Sequence, residues 1–198
     1  MKTKARFAAI APLVFLLALC GTLRASDIAD YIKEIEKAPI PEAGKEYYLR
    51  HGIWCEMWKH DATNYARGTL LPINTKVRVE KMLGETMSIR VIADSQLVWI
   101  LNRTKYTDKS MFEVARRMLS EKEISLKGHD KETVAAIQSG RMVLGMTKEE
   151  VIMARGWPPA HRTKSLDLNT WVYWPSRYVT QSIVFKDGKL AEGRDIGL

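Results

Sequence analysis

The sequence predicts a mixed α+β protein: an N-terminal helix, a small β module, and an ααβββ domain with its helices on one face of an antiparallel sheet. Three observations carry that expectation. Apolar residues recur at helical spacing near the N-terminus and again between residues 110 and 155. They alternate with polar residues through much of 45–101, and Asp187-Gly188 forms a two-residue turn signal between two strand-like runs. The expected segments are 1–25, an export signal; 26–44, a helix and linker; 45–103, the β module; 104–129, a connecting helix; and 130–198, the C-terminal domain.

The 198 residues are 46% apolar and 27% charged, the composition of an ordinary globular chain. The net charge of +8 overstates the basicity of the folded part. Lys2, Lys4, Arg6 and Arg24 lie in the first 25 residues and no acid does, which leaves 27 bases against 23 acids, a net of +4. With two cysteines, Cys20 and Cys55, a disulfide-stapled scaffold and a four-cysteine metal site are both excluded.

The N-terminus reads as a secretory signal. Three positive charges in Met1–Arg6 precede the apolar run Phe7–Cys20, broken only by Pro12. That run falls short of the roughly 20 residues a bilayer span needs. Cleavage after Ala25 would release a soluble exported protein and is the preferred reading. The alternative is a lipobox in Leu17-Ala18-Leu19-Cys20-Gly21, with Cys20 lipidated, although Leu19 stands where a small residue is usual. Either route places the protein in the periplasm or at the outer membrane.

Beyond the signal, Ser26 and Asp27 are capping residues for a helix with Ile28, Ile32 and Ile35 on one face. Ala38-Pro39-Ile40-Pro41 stops it and opens a stiff linker through Gly44. The β module follows. Tyr47 and Leu49 alternate with Tyr48 and Arg50. A strand over 53–58 would set Ile53, Cys55 and Met57 against Trp54, Glu56 and Trp58. Residues 76–80 and 87–91 add two strands, and the apolar run Leu97–Leu101 reads as a buried one.

Ser110-x-x-Glu113 is a capping box for a helix burying Met111, Val114, Ala115, Met118 and Leu119. Asp130 can cap the next helix, with Val134 and Ile137 inward. Thr147-x-x-Glu150 caps another, which a left-handed Gly156 ends ahead of Pro158 and Pro159. Strands are expected near 169–174, 179–186 and 189–194.

The motifs Ile137-x-x-Gly140-x-x-x-Leu144-Gly145-Met146-Thr147-x-x-x-Val151, Gly156-x-Pro158, Trp171-x-Tyr173 and Val184-Phe185-x-Asp187-Gly188-Lys189-Leu190 together resemble the SmpA/OmlA (BamE) family. The resemblance covers about residues 130–194. It implies two helices packed on a three-stranded antiparallel sheet, and a non-catalytic stabilising role in outer-membrane protein assembly. A second, weaker resemblance is to bacterial SH3-like domains, through Arg67-Gly68-x-Leu70-x-Pro72-x-Asn74-Thr75-Lys76-Val77-x-Val79 with Trp99 near the end.

Chemistry-bearing residues are sparse. His51, Cys55, His60 and Asp61 lie close in sequence, but on one continuous strand His60 would face away from His51 and Cys55. The simpler expectation is a buried cysteine with surface histidines, and so no metal site. No phosphate loop, HExxH or GxSxG element is present, so no cofactor and no catalytic residues are expected. The bases interleave with acids, as in Glu113, Arg116, Arg117, Glu121, Lys122 and Glu123, a solvated face that argues against nucleic acid. Trp157, Trp171, Tyr173, Trp174 and Tyr178, with Arg155, Arg162 and Arg177, form an aromatic–arginine cluster. Trp171 and Tyr173 are expected in the core. Trp174, Arg177, Tyr178 and Arg162 are expected on an exposed binding face.

These readings point to a non-catalytic, exported envelope scaffold whose partner is a protein, a membrane or a cell-wall component. One alternative is a peptidoglycan-binding module using Tyr65, Arg67 and Trp99. Another is an enzyme using Cys55 with a histidine.

Overall fold

The computed structural model describes residues 28–193, so the export signal, its cleavage and lipidation sites and the caps Ser26 and Asp27 lie outside the described residues. The chain is mixed α+β, with a curled multi-strand sheet and a few short helices. Helix α1 (Ile28–Lys37) buries Ile28 and Ile35, two turns apart on one face. The Pro-containing stretch after it is tied down at its end: Gly44 N–H donates to Val79 O at 2.7 Å and Glu42 N–H to the Tyr47 hydroxyl at 2.8 Å.

Seven strands follow: β1 (Glu46–Leu49), β2 (Ile53–Cys55), β3 (Lys59–Asp61), β4 (Thr69–Leu71), β5 (Lys76–Leu83), β6 (Thr86–Val91) and β7 (Leu97–Leu101). After a single turn, α2 (Thr104–Thr107), come α3 (Met111–Met118) and the short β8 (Leu119–Ser120). The main sheet runs β3-β7-β6-β5-β1-β8, antiparallel except for the parallel β3–β7 pair, and β2 and β4 make a separate ribbon. In β5, Val77 and Val79 alternate with exposed Lys76, Arg78 and Glu80, as a half-buried strand requires. The Ser110–Glu113 capping box is present, with both reciprocal bonds made.

The expected strand over 53–58 ends at Cys55, and a turn separates it from β3. Met57 and Trp58 both adopt positive φ, 49° and 60°, and Glu56 and Lys59 exchange backbone hydrogen bonds at 2.9 and 3.1 Å across this tight turn. Two-residue hairpin turns favour such dihedrals, usually with Asn or Gly, so the bulky pair hid the turn. The reversal carries His60 inward, and His51 and His60 are only 2% and 1% exposed. The expected surface histidines are therefore buried ones.

The C-terminal elements are α4 (Lys131–Gln138), α5 (Lys148–Arg155), β9 (Thr170–Ser176), β10 (Val179–Lys186) and β11 (Lys189–Gly193), with sheet order β11-β10-β9, all antiparallel. Asp130 caps α4 and the Thr147–Glu150 box caps α5. In α4 the inward residues are Thr133, Ala136 and Ile137, with Val134 only half-buried. Asp187 and Gly188 take positive φ at the β10–β11 turn.

Gly156 ends α5 with φ 76° but ψ −172°, so the chain leaves extended, not as a left-handed helical cap. Pro158 imposes extended backbone on Trp157, and a Cβ at Gly156 would stand 2.7 Å from the Asn64 amide.

Two apolar clusters fill the interior. One joins β1, β2, β5, β6 and β7 to the apolar face of α3, the helix expected to be a connector. The other joins α1, α4, α5 and the inner face of β9–β11. The two regions are stitched by Gly52 N–H to Met153 O at 3.0 Å, Ala66 N–H to Pro175 O at 3.0 Å and Asn64 Nδ2–H to Trp157 O at 2.8 Å.

Candidate functional site: an aromatic and cationic surface

Alternation along β9 sends Trp171 and Tyr173 inward, where both are fully buried, and Val172 and Trp174 outward. Tyr173 O–H donates to Gly156 O at 2.8 Å, and burial raises its pKa. Trp174 is half-buried, not free as the sequence suggested, because Tyr65 and Tyr106 from the other half and His161 from the loop after α5 pack around it. His161 lies 4.5 Å from it between ring centres and Tyr106 5.3 Å, both edge-on, and Tyr65 lies 6.2 Å away. The Arg162 guanidinium stands 6.0 Å from the Trp174 ring, and Lys105 Nζ 4.7 Å from that of Tyr106. His161 Nε2 is buried without a partner, and burial lowers the imidazole pKa, which favours the neutral ring.

Arg177 and Tyr178 form a second pair at the β9–β10 turn, 5.7 Å from guanidinium to ring, with Tyr178 85% exposed. The four residues expected on the binding face thus divide into Trp174 with Arg162, and Arg177 with Tyr178. Sequence reasoning did not place Tyr106, His161 and Lys105 in this site. They come from α2 and from the loop after α5, and only the fold brings them to β9.

The residues of the cell-wall alternative engage different partners. Tyr65 joins Trp174, Arg67 pairs with Glu56 at 3.0 Å, and Trp99 projects from β7, where its backbone N–H meets Trp58 O at 2.9 Å. Met57, 83% exposed, precedes Trp58 in the β2–β3 turn.

Cys55 is buried, and its thiol is pushed up to about 12 by desolvation, so it is protonated at neutral pH. His51 Nδ1–H donates to Gly52 O at 3.0 Å, and burial pushes its pKa down to about 4. His60 Nδ1–H donates to Trp54 O at 2.9 Å, with Nε2 3.1 Å from Asn64 Oδ1. Burial also lowers its pKa. The hollow beside His51, bounded by Asn64, Thr107, Arg117 and Trp157, holds about 30 Å³, room for one water. No group of three or more metal-ligating side chains occurs among the described residues, and no helix among them is long and apolar enough to cross a membrane.

Set against models of protein families, curated proteins and solved structures, the chain matches none.

Proposed function

We propose that the protein is a non-catalytic, exported cell-envelope scaffold that binds a protein partner through the aromatic and cationic surface around Trp174. The carrying observation is that cluster itself: Tyr65, Tyr106, His161 and Trp174 from separate segments, with Arg162 and Lys105 over the rings. Trp, Tyr and Arg dominate binding hot spots because they bury large area at low entropic cost and keep a polar handle. Tyr178 and Arg177 extend the surface beyond it. A standard interface of roughly 800 Å² per partner would cover both pairs.

The α4-α5-β9-β10-β11 order, with α4, α5 and the inner sheet face sharing one core, supports the SmpA/OmlA-like reading of residues 130–194. The curled sheet over 46–101 supports an SH3-like module before it. A protonated Cys55 and hydrogen-bonded His51 and His60 support a binding role over catalysis by that trio.

Placing a photo-crosslinking residue at Tyr178 of the full-length chain tests the proposal. Discrete adducts should form in the envelope fraction and fall by about tenfold when Arg162→Glu and Arg177→Glu are combined. An unchanged adduct pattern would refute the assignment. Intact mass checks export: a mature chain beginning at Ser26, or an acylated Cys20, is expected, and an unprocessed chain would refute it.

The exposed Trp58 and Trp99 on the β half favour one second reading, a cell-wall ligand surface. Co-sedimentation of the full chain with peptidoglycan, lost on Trp99→Ala, would establish it; failure to pellet removes it.

A further inference from the structure

An open groove of about 390 Å³ runs between the β2–β4 ribbon and the C-terminal sheet. Its walls include Trp54, Arg141, Met142, Arg155, Pro175 and Val179, and none of its lining residues is acidic. Arg155, the last residue of α5, is half-buried, with Nε and Nη2 withdrawn from water and without any hydrogen-bond partner. Its nearest ring is Tyr173, 6.0 Å away, and that phenol stays protonated, so it supplies no counter-charge. Across the groove, the Trp54 indole N–H is a second buried donor without a partner. The ring packs closely against Gly140, where a Cβ would stand 3.1 Å from Nε1. Arg141, exposed at the rim, adds a second positive charge while its Nε–H donates to Ser139 Oγ at 2.9 Å.

A guanidinium cannot shed its proton to escape burial, and its N–H donors are costly to hold away from water without an acceptor. The site therefore calls for an anion. Its planar fork matches a carboxylate, which can accept two parallel N–H bonds after a small side-chain rotation. The half-buried Arg155, with Arg141 left in water at the rim, balances a single negative charge, and Ala66, Met142, Pro175 and Val179 offer apolar contact beside it.

We propose that this groove binds a monoanionic carboxylate carried next to an apolar group, with Arg155 as the anchor and the Trp54 indole N–H as a second donor. The proposal stands apart from the Trp174 surface and does not depend on it.

Titrating the full chain with acetyl-Ala-Leu, its C-terminal amide, 4-methylpentanoate and inorganic phosphate tests it, with the Trp54 indole N–H resonance as readout. The free acid should move that resonance saturably and bind at least about tenfold more tightly than the amide. If 4-methylpentanoate binds as well as the peptide, the natural ligand class is a small carboxylate; if only the peptide binds, it is a chain terminus. Arg155→Met should abolish the response while leaving the melting temperature unchanged or raised, since it removes two N–H donors that have no acceptor. Equal binding of acid and amide, phosphate binding in preference to either, or no saturable shift overturns the proposal. The acid–amide comparison on the unaltered chain decides the matter even if the variant does not fold.

Discussion

The two apolar clusters treat their polar residues differently. Around the β-rich cluster, the buried histidines are spent on structure: His51 holds Gly52 O, and His60 holds Trp54 O and meets Asn64. Around the C-terminal cluster, Arg155 is half-buried with Nε and Nη2 unpaired, and Arg117 reaches from α3 to within 4.2 Å of the Trp157 ring, its own pKa lowered by burial. A neutral imidazole that donates its one N–H to a buried carbonyl stabilises a fold, whereas an N–H withdrawn from water without an acceptor costs free energy. The buried histidines thus serve architecture, and the groups proposed for recognition are the unpaired donors, Arg155 in the second region and Trp54 of β2 in the first.

The largest test compares the two cores. Trp171→Ala should destabilise the protein by about 3–5 kcal/mol and Ile100→Ala by about 2–5 kcal/mol, because both side chains are fully buried. If the halves fold as one, tryptophan fluorescence and far-UV circular dichroism should lose signal at the same denaturant midpoint in each variant. Separate midpoints would break the coupling that the backbone stitches imply.

Acid should act through the first region. His51 has a folded-state pKa near 4 against an ordinary 6.5, so the unfolded chain binds the proton first as pH falls. Its contribution is complete above about pH 6.5 and is lost progressively down to about pH 4, amounting to about 3 kcal/mol. His60 adds in the same direction. Chemical denaturation from pH 7 to pH 4 should show this slope, and His51→Gln should flatten it; an equal slope in the variant would reassign the effect.

Gly156→Ala probes the seam between the regions. Positive φ imposes about 1–3 kcal/mol of strain on an alanine, and the new Cβ would press on Asn64. A melting temperature unchanged from the parent would show that the seam gives way freely. The smallest effect belongs to the β2–β3 turn, where replacing Met57-Trp58 by Asn-Gly should stabilise the protein by about 1 kcal/mol, since asparagine and glycine enter that conformation readily. A fall in thermal midpoint would instead show that Trp58 contributes packing.

Local signals were legible in the sequence. The capping boxes at Ser110 and Thr147 and the Asp187-Gly188 hairpin each depend on residues within one turn of one another, and each forms where expected. Alternation also placed Trp171 and Tyr173 in the core. The Met57-Trp58 reversal was illegible because neither residue favours left-handed backbone. With that turn hidden, His60 was assigned to the wrong side. The candidate site was legible only in part. Trp174 and Arg162 stood out by residue type, but Tyr106 and His161 reach them through tertiary packing. Arg155 was visible as one member of an aromatic–arginine cluster, yet its unpaired state depends on what the fold keeps away from it.

Asn64 has a consequence for how the molecule comes apart. Itself at positive φ, it sits beside His60, donates to the Trp157 carbonyl and leaves Gly156 no space for a side chain. A protease or a pulling force that separates the halves must break this knot together with the Gly52–Met153 and Ala66–Pro175 bonds. Sensitivity to cleavage in the loop around Tyr65 should therefore report the opening of the whole molecule, not the fraying of one edge.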